Sequence, residues 1–465
     1  MNRPKADGNR RLLCYYGDDF TGSTDVLEAL FSFGLETVLF LEPPSPELLA
    51  DKFQDVDCFG VAGVGRSLTP TEMEEELRPI LATLKTAGTA IVHYKICSTF
   101  DSSPSVGSIG KAAEIGKELF RGRFIPLLVG VPYLQRYTLF GHHFASAGSQ
   151  VYRLDRHPTM SRHPATPMTE ADLAKHLQQQ ARLKTGSMNI TQLTGSSQEI
   201  EERLEKTLSD ENPDLLLFDV LDEQRLRDAG ELIWKEALRS RESLFVVGSS
   251  GVEYALGGCW REQGLLPKIG AGERSWKPVD RLLVVSGSCS PMTEKQIVAA
   301  ERDGFACIRV PFAEWLRAQT ADDAMEHLRE DVLRLLDQGR SVVLYSALGP
   351  RDDSIRDIRD GLLPEGKGAE SSSRLLGKML GRLAREVALQ TKLPRLLIAG
   401  GDTSGYVTRE LGVYALSCKA QLEPGVPLCN GYSNDDQLDG VELVLKGGQM
   451  GSEHFFEKVL RGESI

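Results

Sequence analysis

The sequence predicts an α/β protein of two domains, each a mainly parallel sheet flanked by helices. Three observations predict it. The chain has 465 residues, whereas a single hydrophobic core stops growing at roughly 250–300 residues. Short apolar runs alternate with amphipathic helical segments in both halves, the pattern of parallel strands covered on both faces. Between Glu262 and Pro278 the alternation breaks into a Gly-, Pro- and charge-rich stretch. Residues 1–262 are therefore assigned to an N-terminal domain, 263–280 to a linker and 281–465 to a C-terminal domain.

The elements follow in order. Leu12–Tyr16 reads as the first strand and Thr24–Phe33 as its helix. Strands Thr37–Leu41 and Cys58–Ala62 precede a helix at Thr71–Thr86, opened by Thr and Pro signals. Strand Ala90–Ile96 leads through a Ser/Gly loop to helix Lys111–Phe120. Phe124–Val129, Asp214–Val220 and Leu244–Val247 are further buried strands, the last running into Gly248-Ser249-Ser250-Gly251. After the break, strands are predicted at Arg281–Val285, Ala306–Val310, Ser341–Ser346, Arg395–Ile398 and Val441–Leu445. Residues Arg351 to Ser373 are polar and Gly-rich and read as a mobile loop.

Composition narrows the class. With 41% hydrophobic and 26% charged residues, whole-chain disorder is excluded. The 45 glycines exceed the usual share of about 7% and ask for many tight loops. A formal net charge of −12, without a basic run, excludes nucleic acid as a partner. It does not exclude an anionic small substrate, which local cations and backbone N–H groups decide. The eight cysteines form no Cys-x-x-Cys pair, so they read as free thiols of a reducing compartment. No signal-like core opens the chain and no apolar run reaches ~18 residues, so a cytoplasmic protein without membrane contact is expected.

In doubly wound sheets, ligands sit beyond the C-terminal strand ends, so the loops there carry the functional reading. The first is Gly17-Asp18-Asp19-Phe20-Thr21-Gly22-Ser23. A carboxylate at a strand end can bind a hydroxyl or accept its proton; alternatively one Asp caps the helix. An aspartyl-phosphate chemistry needs an acid two residues before Asp19, where Gly17 stands. The second loop, Gly63 to Thr69, carries Arg66, a planar fork suited to a carboxylate, or a solvated surface charge. In the third, Lys95 closes an apolar strand ahead of Ser98 and Thr99; it either meets a ligand or pairs with Asp18 or Asp19. His142, His143, His157 and His163 lack zinc-ligand spacing and are expected to pack loops, so no metal ligands are assigned.

The second half shows glycine beside strands. Ser286-Gly287-Ser288 leads into a helix with Thr293 and Gln296, Gly400-Gly401-Asp402-Thr403 opens helix Tyr406–Leu411, and Lys446-Gly447-Gly448-Gln449-Met450-Gly451 precedes helix Glu453–Leu460. Each alone reads as tight packing or as a phosphate cradle; three together favour a nucleotide. A P-loop, a dinucleotide fingerprint and the protein-kinase signature set are all missing.

At these residues the chain resembles the four-carbon acid sugar kinase family, long known only as a domain of unknown function. Asp18-Asp19-Phe20-Thr21-Gly22, Lys95 with Ser98-Thr99, and the three C-terminal turns carry the resemblance over nearly the whole length. It implies an acid-sugar domain and an ATP domain facing each other across a ligand cleft. It implies phosphorylation of a terminal hydroxyl of threonate, erythronate or a 3-oxo-tetronate, with ATP and Mg²⁺. Asp18, Arg66, Lys95, Ser98 and Thr99 would hold the substrate, with Asp18 or Asp19 orienting the attacking hydroxyl. Ser286, Gly400, Gly401, Asp402, Thr403, Gly447, Gly448 and Gly451 would hold ATP, Asp402 with a contact to Mg²⁺. Family members continue Ser-Thr with a residue and then Arg-Gly, whereas this chain has Phe100-Asp101-Ser102-Ser103, which puts the sugar in question. A sensor that binds acid sugar and ATP without transfer, and an NAD-dependent oxidoreductase, are the competing readings. A homodimer is one oligomeric state left open.

Overall fold

The computed structural model describes residues 10–163, 165–266, 276–312, 315, 321–356 and 369–462. The chain divides into two compact units, residues 1–270 and 271–465. Of the expected linker at 263–280, residues 267–275 lie outside the described residues.

The first unit holds strands β1 (Arg11–Gly17), β2 (Thr37–Phe40), β3 (Cys58–Ala62), β4 (Thr89–Lys95) and β5 (Ile125–Leu128). Strands β6 (Arg136–Leu139), β7 (His142–Ala147) and β8 (Gln150–Arg153) follow, then β9 (Thr185–Met188), β10 (Leu215–Phe218) and β11 (Leu244–Gly248). Eight of these form a parallel sheet in the order β2-β3-β1-β4-β11-β5-β10-β9. Every residue of β3, β4, β5, β10 and β11 is buried. Both faces are therefore covered, which is why these strands read as unbroken apolar runs rather than alternating ones.

The helices start where local chemistry places a cap. Thr69 and Glu72 form a reciprocal capping box ahead of helix Pro70–Thr86, and Ser196 with Glu199 does so for helix Ser197–Glu211. Asp19 caps helix Phe20–Ser32, which begins four residues before the predicted Thr24. The polar motif residues hid that first turn, because they belong to a helix while breaking its apolar period.

Sequence reading missed the antiparallel sheet β6-β7-β8. Its short strands are half-exposed and rich in His, Arg and Ser, without clean alternation. It is tied to the main body by reciprocal backbone bonds between Thr138 and Val220, each 2.9 Å.

The second unit contains β12 (Leu283–Ser286), β13 (Ala306–Arg309), β14 (Val342–Tyr345), β15 (Arg395–Ala399), β16 (Val413–Glu423), β17 (Val426–Ser433) and β18 (Glu442–Lys446). Strands β13-β14-β12-β15-β18 run parallel, and β17 and β16 extend the sheet antiparallel. The hairpin β16–β17 was not predicted; it turns at Gly425, whose φ of 77° suits glycine. Val284, Val343, Leu397, Leu428 and Val444 pack with Ile297, Phe455 and Phe456 in its core. The mobile loop expected at Arg351–Ser373 is corrected at its end, since residues 369–373 begin helix Ala369–Thr391. Residues 357–368 lie outside the described residues. No described helix is long and apolar enough to cross a membrane.

Candidate functional site

Strand register brings the three N-terminal loops together. Gly17 of β1 pairs with Ala62 of β3 on one side and Lys95 of β4 on the other, so all three strands end in one row. Backbone bonds then interlock the loops: Asp18 N–H donates to the Lys95 carbonyl and Arg66 N–H to the Asp18 carbonyl, both at 2.9 Å.

The side chains converge on this row. Arg66 spans both aspartates: Nη2 donates to Asp18 Oδ1 at 2.7 Å, Nε to Asp18 Oδ2 at 3.4 Å and Nη1 to Asp19 Oδ2 at 2.9 Å. Asp18 is 3% exposed and Asp19 27%. Burial pushes the Asp18 carboxyl up to about 6 against the pull of Arg66, with Asp19 adding to the rise. Asp19 is also the helix cap, its Oδ1 accepting from Gly22 N–H at 2.7 Å. Of the paired acids, Asp19 therefore caps the helix, while Asp18 is buried with a raised pKa.

Lys95 is buried, and its Nζ lies 3.5 Å from Asp25 Oδ2 rather than pairing with Asp18 or Asp19. Burial pulls the ammonium down, but Asp25, Asp19 and Asp18 together outweigh it and Lys95 ends above its ordinary pKa. A Cβ on Gly22 would stand 3.1 Å from Lys95 Nζ, so the glycine of the motif makes room for this charge. Asp25, one turn after Gly22, was missed. Its signal is an acid on a helix whose flanking residues, Thr24 and Val26, are both buried.

The third loop is partly self-satisfied. Thr99 Oγ1 donates to Asp101 Oδ1 at 2.6 Å and lies 2.9 Å from Cys97 Sγ. Ser98 Oγ makes no hydrogen bond among the described residues. The Ser98 carbonyl lies 2.8 Å from His143 Nε2. A carbonyl only accepts, so that nitrogen carries the proton, and burial holds His143 neutral with a pKa of about 4. The unpredicted small sheet thus braces this loop from β7.

In the second unit, Ser286 of β12 pairs with Ala399 of β15, and Ala399 with Lys446 of β18. The three glycine turns therefore leave adjacent strand ends, and they pack on each other. A Cβ at Gly287 would fall 2.1 Å from Thr403 Oγ1, and one at Gly448 2.7 Å from Ser288 Oγ. Gly400 has φ 127°, open to glycine almost alone. It precedes helix Gly401–Glu410, whose first turn receives no side-chain cap, leaving N–H groups of the kind that bind anions. Ser286 Oγ accepts from Ser288 N–H at 3.4 Å and Ser404 Oγ donates to the Gly400 carbonyl at 2.7 Å. The Asp402 side chain lies outside the described ones. Sequence reading passed over the turn after β14, where Ser346 N–H joins the Ser286 carbonyl at 3.1 Å. Its Gly349-Pro350 pair, directly after a strand, is the signal for it.

Comparison with known proteins gives one family description for each half of the chain. The family description Sugar-binding N-terminal domain matches residues 13–256, and Nucleotide-binding C-terminal domain matches residues 283–456. The 3-oxo-isoapionate kinase of Paraburkholderia graminis is 42% identical over 451 residues, covering 97% of this chain and 94% of that protein. The 3-oxo-tetronate kinase of Pseudomonas savastanoi pv. phaseolicola is 29% identical over 453 residues, covering 97% of each. A solved structure from Salmonella typhimurium LT2 superposes with a TM-score of 0.76 at 26% identity, covering 97% of this chain and 98% of that one. A Haemophilus influenzae protein of the DUF1537 family model gives 0.73 at 25% identity, over 96% and 98%. With both domain descriptions matched and a relative of this similarity spanning nearly its whole length, the chain belongs to the four-carbon acid sugar kinase family.

Proposed function

We propose that this acid sugar kinase transfers the terminal phosphoryl group of ATP to a hydroxyl of a 3-oxo acid sugar, and that 3-oxo-isoapionate is its preferred acceptor. The observation that carries the reading is the first-unit cluster: a buried carboxylate with a raised pKa, beside two buried or half-buried cations, at the ends of three parallel strands. An acceptor with a carboxylate at one end and a hydroxyl at the other meets complementary groups there. The preference for isoapionate rests on the higher identity to the kinase named for it, 42% against 29%. The Phe100–Ser103 stretch, where Arg-Gly is absent, marks the loop that would accommodate a different sugar.

Each residue then has a role. Asp18 accepts a hydrogen bond from the attacking hydroxyl and takes its proton, a task for which a pKa of about 6 leaves it ionised at neutral pH. Lys95 and Arg66 meet the substrate carboxylate. Arg66 exchanges its contact with the more exposed Asp19 for it and keeps the buried Asp18 oriented. Thr99, whose proton is committed to Asp101, offers lone pairs, while Ser98 supplies a free hydroxyl.

Nucleotide fits the second unit, whose turns are cradles that a Cβ would fill. Ser286, the first-turn amides of Gly401, Asp402 and Thr403, and the loop Gly447–Gly451 would hold its phosphates; Mg²⁺ carried in with ATP would supply charge neutralisation there. Phosphoryl transfer asks the protein for position and charge rather than covalent chemistry, and the residues described supply those two.

The test is a coupled ADP-release assay over 3-oxo-isoapionate, 3-oxo-tetronates, threonate and erythronate, with product mass measured. The reading expects turnover on the 3-oxo acids, fastest on 3-oxo-isoapionate, and a product heavier by one phosphoryl group. Binding without ADP release on every acceptor would make the protein a sensor instead.

A further inference from the structure

Lys446 ends β18 as a fully buried cation. Its Nζ reaches four oxygens: Thr293 Oγ1 at 3.2 Å and the carbonyls of Gly447 at 3.0 Å, Gly448 at 3.3 Å and Met450 at 3.1 Å. None is a carboxylate. The charged group that supports it from the neighbouring hairpin is Glu423, itself engaged by Ser452 through N–H at 3.2 Å and Oγ at 2.8 Å. The Gly448 carbonyl also accepts from Thr293 Oγ1 at 2.9 Å and from Ser290 Oγ. The Met450 carbonyl also accepts from Gln296 Nε2 at 3.1 Å.

Peptide planarity turns this into a statement about the opposite face. In a trans peptide the N–H points away from the C=O of the same plane. Carbonyls 447, 448 and 450 directed at Nζ therefore direct the N–H groups of Gly448, Gln449 and Gly451 away from it. Those three amides make no hydrogen bond among the described residues. Gly451 at φ 86° supplies the left-handed residue that such an outward-facing amide concavity uses.

We propose that Lys446 is the positioning residue of the loop Gly447–Gly451: it draws three carbonyls inward so that three amides face outward as a nest for nucleotide phosphate. Its ammonium, held by neutral oxygens, adds positive charge beneath that nest. With no carboxylate in contact, burial of such a charge is costly; it outweighs the support of Glu423 and pulls the pKa down to about 8. A polyphosphate over the loop offsets that cost. The proposal rests on the reading of the second unit as the nucleotide site and names the device that organises one of its turns.

Two measurements on the full chain test it. Titration calorimetry with Mg·ADP asks whether nucleotide binds at all, and amide hydrogen exchange on the wild type asks where. The proposal expects binding, with exchange at Gly448, Gln449 and Gly451 slowed at least tenfold. Lys446→Met should raise KM for ATP at least tenfold while KM for the acid sugar changes less than twofold. Lys446→Gln, which restores two donors, should recover part of the loss. Absence of Mg·ADP binding overturns the nucleotide reading and this proposal with it. Binding without protection of those amides, or a Lys446→Met that alters both KM values alike, overturns this proposal alone. Should Lys446→Met fail to fold, the wild-type exchange result decides.

Discussion

On the proposed reading, the two units would meet their anions by opposite means. In the first, positive charge sits on side chains: Arg66 forks two aspartates and Lys95 is buried beside Asp25. In the second, the surfaces offered at the strand ends are backbone, shaped by glycines whose added Cβ atoms would strike Thr403 or Ser288. The difference follows from what each would hold. A sugar acid varies in stereochemistry and needs directional, tunable partners, whereas a polyphosphate repeats one geometry that N–H groups can match. Side-chain sites change specificity by substitution; backbone sites change little without collapsing.

Four predictions break or sharpen that contrast. Asp18→Asn keeps the shape of the first-unit cluster but removes its base. kcat should fall by about 10²–10⁴, the usual worth of a positioned general base, while Mg·ADP affinity stays within twofold. Wild-type kcat in this variant would remove Asp18 from the mechanism. Gly287→Ala places a methyl 2.1 Å from Thr403 Oγ1. It should raise KM for ATP about thirtyfold, roughly 2 kcal/mol and the middle of the ~1–3 kcal/mol typical of overpacking, and leave the acid-sugar KM unchanged. An equal loss for both substrates would mean that the turn serves folding alone. Lys95→Met leaves Asp25 without its cation and should raise the acid-sugar KM on the order of tenfold, consistent with the worth of a charge-assisted hydrogen bond; an unchanged KM would assign Lys95 to structure. The mildest test is pH. Asp18 must be ionised to act, and its folded pKa is raised to about 6. Log kcat/KM should therefore climb with unit slope below pH ~6 and level above it. A flat profile down to pH ~4.5 would place the base elsewhere.

The legible parts of this protein are those where periodicity or glycine speaks for itself. Fully buried parallel strands show as apolar runs, and the loops after them carry Asp18, Arg66, Lys95 and the three glycine turns in plain sight. The structure aligns those strand ends, Gly17 with Ala62 and Lys95, and Ser286 with Ala399. What stayed hidden depends on contacts between segments far apart in sequence. Lys95 takes Asp25 as its partner because helix Phe20–Ser32 presents Gly22 and Asp25 on one face. His143 reaches Ser98 across 45 positions from a sheet too polar and short to announce itself. The hairpin β16–β17 mixes Cys, Lys, Gln and Asn into its strands, so its pattern reads as neither strand nor helix until β18 pairs with it.

The central claim is that charged side chains of the first unit take the acid sugar and backbone turns of the second take the nucleotide. A crystal structure with AMP-PNP and 3-oxo-isoapionate measures this directly. The account predicts the triphosphate against the amides of Gly401–Thr403 and Gly448–Gly451, the sugar carboxylate on Lys95, and a hydroxyl within about 3.2 Å of Asp18. An adenosine moiety bound in the first unit, or a sugar bound away from Lys95, would contradict it.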